Sequence, residues 1–80
     1  MKVITPFSTI ETVNGIVSTE QSWFNSLADQ YQISELNPIF DSPNAEFDKY
    51  YLAVFDSNYT VDEVINAFNA EPEVDFAEPD

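Results

Sequence analysis

The fold is decided by residues 50–68, which read YYLAVFDSNYTVDEVINAF. Residues 50–55 are aromatic and apolar throughout, which is typical of a β-strand, and a polar turn then interrupts them. Thr60 and Glu63 follow with the spacing of a capping box, in which Thr60 is the N-cap. Because apolar residues recur after Thr60 at helical spacing, the sequence predicts a central strand over 50–55 and a helix over 60–69.

The N-terminal part of the chain predicts a short strand and a small hairpin. Residues 3–7 are β-branched and apolar, and Pro6 limits this first strand to an edge or a strand end. The dipeptide Asn14-Gly15 lies between two β-branched runs, which is the strongest short-range signal for a hairpin. Residues 8–18 are therefore assigned to a hairpin or loop insertion.

A first helix is predicted over residues 22–31, because apolar side chains recur there along one helical face. Ser18, Thr19 and Ser22 are its candidate N-caps. Trp23 is interpreted as part of the core or as cover for the helix surface, in preference to a platform for a ligand.

The remaining segments complete one domain, residues 1–80, in the order strand, hairpin, helix, strand, strand, helix, strand. Residues 33–40 form the second strand, which Pro38 interrupts or ends, and residues 74–78 form the last strand. This order predicts an α+β fold of the ferredoxin-like, split βαβ type, in which a four-stranded antiparallel sheet carries both helices on one face. The predicted core residues are Phe24, Leu27, Val64, Ile65, Phe68 and Val74. The other face of the sheet is left open as a docking surface, which is expected to carry some of Tyr50, Tyr51, Phe55 and Phe76.

Charge and missing residue types exclude several classes of function. Fifteen acidic residues stand against two lysines, Lys2 and Lys49, so the formal net charge is −13. Binding to nucleic acid or to an anionic membrane needs clustered Lys and Arg, so neither is expected as a partner. The chain has no His and no Cys, and it therefore lacks the commonest general base, thiolate chemistry and disulfides. We expect a binding protein without cofactor, and not an enzyme.

Two further segments carry weaker signals. The turn-rich segment after the second strand contains Asp41, Glu46 and Asp48, which supply the oxygen ligands that calcium prefers. Their spacing matches no calcium-loop motif, so no metal site is predicted. Residues 1–6 contain one lysine and no apolar stretch, which is not the pattern of a signal peptide.

Residues 74–80 read VDFAEPD. They are the last part of a series that begins at Tyr50 and consists of a strand, a capped helix, a turn that contains proline and a final strand. This ordered series resembles the second half of the propeptide domain of subtilisin-like serine proteases. In that family the closing strand has the form Val-x-aromatic-small-Glu-x-Asp or Asn. A weaker match covers residues 26–31 and the pair Ile39-Phe40, at the family's first helix and second strand.

The resemblance implies an intramolecular chaperone and inhibitor that binds its subtilisin-like protease in cis or in trans. In that family the open face packs on two surface helices of the protease, and Glu78 and Asp80 match the carboxylates that cap the N-termini of those helices. The resemblance also implies secretion to the extracellular space or periplasm, and a monomer when unbound. The implied partner-binding residues are Phe76, Ala77, Glu78, Pro79 and Asp80. The family continues past Asp80 into a substrate-like tail, so residues 1–80 alone are expected to block the active site only weakly.

A free-standing acidic binding module, including a nucleic-acid mimic, is the alternative. A mimic needs carboxylates spaced along one face like phosphates, whereas a propeptide needs them concentrated where its sheet meets the protease. Five acidic residues crowd the last ten positions, which favours the propeptide: Glu71, Glu73, Asp75, Glu78 and Asp80.

Overall fold

The computed structural model describes residues 1–39 and 49–79, and within them six strands and two helices. The strands are β1 (Lys2–Val3), β2 (Ile10–Val13), β3 (Ile16–Thr19), β4 (Glu35–Pro38), β5 (Tyr51–Val54) and β6 (Val74–Phe76). The helices are α1 (Ser22–Tyr31) and α2 (Val61–Asn69). The α+β class predicted from the sequence is confirmed.

The described strands form three antiparallel pairs, which are β1 with β6, β2 with β3, and β4 with β5. A single continuous four-stranded ladder, as predicted, is not formed by these residues. The reason lies in β1, which has only two residues and shifts register against β6 between Lys2 and Val3. Lys2 forms one isolated bridge with Tyr50, the residue before β5, and Met1, the residue before β1, forms backbone bonds with Tyr51.

The first strand is shorter than the predicted 3–7. It ends at Val3 because the chain bends at residues 4–5. Pro6 then lacks the N–H group that a continuing ladder needs. Phe7 leaves the strand altogether and enters the core, where only 8% of its surface is exposed.

The hairpin is confirmed at the predicted dipeptide. Asn14 and Gly15 have φ angles of 53° and 83°, so both lie in the left-handed region that a two-residue type I′ turn requires. The register pairs Val13 with Ile16 directly across this turn. Local turn chemistry therefore accounts for the register of this ladder.

The two helices begin in different ways. None of the predicted caps Ser18, Thr19 and Ser22 is the N-cap of α1; that position is Gln21, which makes no side-chain cap bond. Instead, Asn25 reaches back from the helix: its amide oxygen accepts the Thr19 N–H at 2.8 Å, and its Nδ2 donates to the Thr19 carbonyl oxygen at 2.8 Å. A side chain within the helix thus closes the turn that a cap residue was expected to close.

The predicted N-cap of α2 is confirmed. The Thr60 hydroxyl oxygen accepts the Glu63 N–H at 3.1 Å, and the hydroxyl group donates to Glu63 Oε1 at 3.2 Å. Asp62 and Glu63 place two carboxylates in the first turn, where the helix dipole favours negative charge.

The core lies between the two helices and the strands. The ring centroids of Phe24 and Phe68 are 6.0 Å apart, and the Phe7 ring contacts Phe24 edge-on at 5.0 Å. Trp23 is half-buried and covers Phe68, with the indole N–H donating to Gln21 Oε1 at 2.7 Å. Of the predicted core residues, Ile65 is the exception because it is only partly buried. The buried apolar residues are Val3, Phe7, Val17, Phe24, Leu27, Ala28, Ile33, Leu36, Tyr51, Val64, Phe68 and Val74.

Candidate protein-docking surface

Strand β5 separates core side chains from solvent-exposed ones. Tyr51 is 4% exposed, and its hydroxyl oxygen accepts the Phe7 N–H at 3.1 Å, so this residue belongs to the core. Leu52 and Val54 are 37% and 39% exposed and point away from the core, because successive strand residues alternate between the two faces. Of the four residues considered for the open face, Tyr51 therefore belongs to the core, and Phe55 is packed against the core.

Neighbouring strands extend the exposed side of β5 into a surface. The β4–β5 register sets Glu35 and Asn37 beside the two exposed residues of β5. Lys2 lies opposite both Phe76 and Tyr50 in its pairings. Directly paired residues place their side chains on the same side of a sheet. We call this surface the open face, and it consists of Lys2, Glu35, Asn37, Tyr50, Leu52, Val54 and Phe76.

The open face combines apolar and aromatic groups with one cation. Phe76 is 38% exposed, and its ring centroid lies 6.2 Å from that of Tyr50. The Lys2 ammonium lies 5.5 Å from the Tyr50 ring centroid and 3.4 Å from Asp75 Oδ2. A contiguous exposed apolar surface with a polar border is typical of a protein-interaction site.

The segment after β6 contains the other predicted partner-binding residues. Asn69, at the end of α2, holds this segment through both backbone groups of Ala77: its Nδ2 donates to the carbonyl oxygen at 3.1 Å, and its Oδ1 accepts the N–H at 2.8 Å. Glu78 and Pro79 follow and are exposed. Asp80 lies outside the described residues. The structure therefore brings Phe76 to the open face and anchors the segment that carries Glu78.

The sequence did not predict that Leu52 and Val54 form the exposed side of β5. A strand that is apolar throughout has no alternation from which its two faces can be distinguished. The missing signal was in β4, where Glu35 and Asn37 flank Leu36. Once the register is known, the polar residues of β4 mark which side of β5 faces solvent.

A carboxylate outside the open face closes the N-terminal loop. The two oxygens of Glu20 accept the backbone N–H groups of Ser8 and Thr9, each at 3.1 Å. Loss of surrounding solvent acts to raise the pKa of the Glu20 carboxyl. Hydrogen bonds to the carboxylate outweigh this effect and lower its pKa to about 2. The donors are the backbone N–H groups of Ser8, Glu20 and Thr9 and the Gln21 side chain. This contact ties residues 8–9 to the end of the hairpin, and it was not predicted from the sequence.

The described residues offer little support for other kinds of site. Within residues 1–39 and 49–79, no three His, Cys, Asp or Glu side chains are grouped so as to hold a metal ion. Asp41, Glu46 and Asp48, which were weighed as calcium ligands, lie outside the described residues. None of the helices in the described part is long and apolar enough to cross a membrane.

No protein-family model matches the chain, and no curated protein or solved structure matches it either. A function for this chain therefore has to be inferred from its own residues. The open face is the feature that bears most directly on that inference.

Proposed function

We propose that this chain is a propeptide-like domain that docks through its open face onto a subtilisin-like serine protease, inhibits it and assists its folding. The observation that carries the proposal is the grouping of Leu52, Val54 and Phe76, all exposed, on one side of the paired strands. Covering them removes apolar surface from water, which is the dominant favourable term in protein association. The domain acts outside the cytoplasm with its protease, as a monomer when unbound and without a cofactor.

The proposal includes a finer fold, in which the strand pairs act as one sheet of order β4-β5-β1-β6 with both helices behind it. The Met1 amino group donates to the Tyr51 carbonyl oxygen at 2.9 Å, and the Tyr51 N–H donates to the Met1 carbonyl oxygen at 2.8 Å. These bonds support the order because they join the β1–β6 pair to the β4–β5 pair. The ring contact between Phe24 and Phe68 supports the placement of both helices on one side. This order is that of the ferredoxin-like fold.

Carboxylates after β6 supply a second contact in this proposal. Glu78 is exposed and follows Phe76 of the open face by two residues, and Asp80 continues the same segment of sequence. Each carboxylate placed over a helix N-terminus of the protease contributes roughly 0.3–1 kcal/mol when exposed and up to about 2 kcal/mol when partly buried. Because Asn69 already holds Ala77, the backbone before Glu78 loses little conformational entropy on binding.

The net charge favours a second candidate, a free-standing acidic binding module, a class that includes nucleic-acid mimics. With a formal charge of −13, the chain would be attracted to any basic protein surface. Contacts of that kind weaken steeply as salt rises, because surface charges are screened. Docking through an apolar face depends far less on salt, so the two candidates differ in a measurable way.

The proposal is tested by titrating a purified subtilisin-like protease with the chain by calorimetry at about 50 and about 500 mM salt, straddling the range over which surface charges become screened. The titration is repeated with the protease active site blocked by a covalent inhibitor. We expect the same affinity for free and blocked protease, with little change between the two salt concentrations. An affinity that collapses at high salt would favour the acidic module, and no binding at either salt would contradict the proposal.

A further inference from the structure

The turn of the β2–β3 hairpin places an asparagine directly before the only glycine of the sequence. Asn14 and Gly15 are both exposed, and the ladder closes with the pair Val13 and Ile16, so the two turn residues take no part in it. Within residues 1–39 and 49–79, no hydrogen bond is formed to the Asn14 carboxamide or to the Gly15 N–H. Both groups are therefore available for a reaction with each other.

This pair of groups permits an intramolecular substitution. The Gly15 backbone nitrogen attacks the side-chain amide carbon of Asn14 and a new C–N bond forms. The amide nitrogen leaves as ammonia, with the proton that the Gly15 nitrogen gives up, and the product is a cyclic imide. Glycine favours this step because it has no Cβ beside the attacking nitrogen. A reaction within one molecule also avoids the entropic cost of bringing two reactants together.

Water then opens the imide by adding to either of its two carbonyl carbons and breaking the bond from that carbon to the nitrogen. One product has aspartate with the ordinary backbone at position 14. The other has isoaspartate, whose backbone passes through the side-chain carbon and is longer by one methylene. Over both steps one water is consumed and one ammonia is released, and nothing is oxidised or reduced.

Two other exposed asparagines, which lie outside the helices, lack a usable N–H in the residue that follows. Asn37 precedes Pro38, which has no N–H group. Asn58 precedes Tyr59, whose N–H donates to the Asp56 carbonyl oxygen at 3.1 Å. The N–H that would have to attack is thus missing in the first case and already bonded in the second.

The asparagines of the helices are also unsuited to this reaction. The N–H groups after Asn25 and Asn66 lie within helices, where each bonds to the carbonyl oxygen four residues earlier. Ala70, which follows Asn69, donates its N–H to the Asn66 carbonyl oxygen at 3.2 Å. Asn44 lies outside the described residues. Among the described asparagines, Asn14 alone therefore combines a carboxamide and a following N–H that are both unbonded.

We propose that Asn14 is a site of spontaneous deamidation in the folded chain, with isoaspartate and aspartate as products. The turn must open briefly for the two groups to meet. Every residue from 8 to 15 is exposed, so few packing contacts oppose this opening. The inference concerns the hairpin, which contributes no residue to the open face, and it does not depend on whether the chain binds a protease.

Deamidation weakens the hairpin in two ways. Asn14 and Asp29 line the same groove of about 310 Å³ between the hairpin and α1. A carboxylate at position 14 adds a second negative charge to this groove, in a chain whose formal net charge is already −13. Isoaspartate in addition lengthens the turn, which then loses the two-residue type I′ geometry that sets Val13 opposite Ile16. Because the ammonia is lost, the change is irreversible.

The reaction is measured by incubating the purified chain in mildly alkaline buffer and mapping its peptides by mass spectrometry, with chromatography to separate isoaspartate from aspartate. We expect conversion at Asn14 before any other described asparagine. A parallel sample is kept unfolded in urea, and the rates at Asn14 in the two samples should agree within about tenfold, since the exposed turn opens at little free-energy cost. A larger difference between the rates, or equal conversion at Asn25 or Asn66 in the folded chain, would overturn the proposal.

Asn14→Gly is the matched control, because glycine also adopts the positive φ of this position but carries no carboxamide. We expect the melting temperature of the native chain to fall in step with the extent of deamidation, and that of Asn14→Gly to stay constant under the same incubation. An equal fall in both chains would assign the loss to other residues and would overturn the proposal. A fully deamidated chain with an unchanged melting temperature would refute the weakening of the hairpin.

Discussion

The β2–β3 hairpin and the β4–β5 pair are both antiparallel ladders of four-residue strands, and both leave apolar side chains exposed to water. In the hairpin, Ile10 and Val13 are 38% and 53% exposed, but they lie at opposite ends of β2 and on opposite faces. In β5, Leu52 and Val54 are exposed to a similar degree on one face, and this face continues to Tyr50 and Phe76. Isolated exposed apolar residues are ordinary on protein surfaces, whereas a grouped set indicates an interaction site. The difference between the two regions is therefore one of arrangement and not of composition.

The largest expected effect separates the core from the open face. Phe68 is 3% exposed and contacts the rings of Phe24 and Trp23, so Phe68→Ala should lower the free energy of unfolding by about 3–5 kcal/mol, enough to unfold so small a domain. Phe76→Ala is the matched control on the open face, and it should cost less than about 1 kcal/mol. Urea titrations followed by circular dichroism measure both. Equal losses for the two variants would mean that Phe76 is a core residue and not part of a docking surface.

A smaller effect is expected at the turn of the hairpin. Gly15 has a φ of 83°, and a Cβ added there would meet no atom within 4 Å. Gly15→Ala should therefore destabilise the domain through backbone strain alone, by about 1–2 kcal/mol. Asn14→Gly, at the adjacent position with a φ of 53°, is the control and should not add strain. An unchanged melting temperature for Gly15→Ala would show that the positive φ of Gly15 does not limit the stability of the hairpin.

The Glu20 contact predicts a dependence on pH. Because the folded-state pKa is depressed to about 2, below the ordinary value of 4.5, the carboxylate contributes stability that is fully present above pH 5 or so and is lost as pH falls towards 2. The melting temperature of the native chain should therefore exceed that of Glu20→Gln at pH 7, and the difference should narrow between pH 5 and pH 2. Glu11→Gln, which keeps the bonds to Ser8 and Thr9, is the control. A difference that stays constant with pH would show that the ionised carboxylate is not what holds the loop.

Local signals explain most of the elements that could be predicted from the sequence. Asn14-Gly15, the Thr60 cap and the helical spacing of the apolar residues around Phe24 and around Phe68 each act through residues a few positions away. The structure has the corresponding turn, cap and buried side chains. The cap of α1 could not be predicted, because Asn25 reaches back six residues to Thr19.

The open face could not be predicted from local sequence patterns, because it depends on which strands pair. Tyr51 and Leu52 are adjacent residues of an entirely apolar strand, and only the pairing with β4 decides which of them is buried. The short β1 was missed for a related reason. Its contacts with Tyr50 and Tyr51 span about fifty residues of sequence, so the point at which it stops pairing depends on tertiary structure.

The central claim, that arrangement and not exposure makes the open face a docking surface, is tested most directly by two matched double variants. Leu52→Ser with Val54→Ser alters the open face, and Ile10→Ser with Val13→Ser removes the same kind of side chains from the hairpin without any change in charge. Both are titrated against a subtilisin-like protease after thermal melts have shown that they are folded. We predict that the open-face variant binds about tenfold to a hundredfold more weakly, because its apolar contact is lost, while the hairpin variant binds as the native chain does. Equal affinities for the two variants would contradict the account.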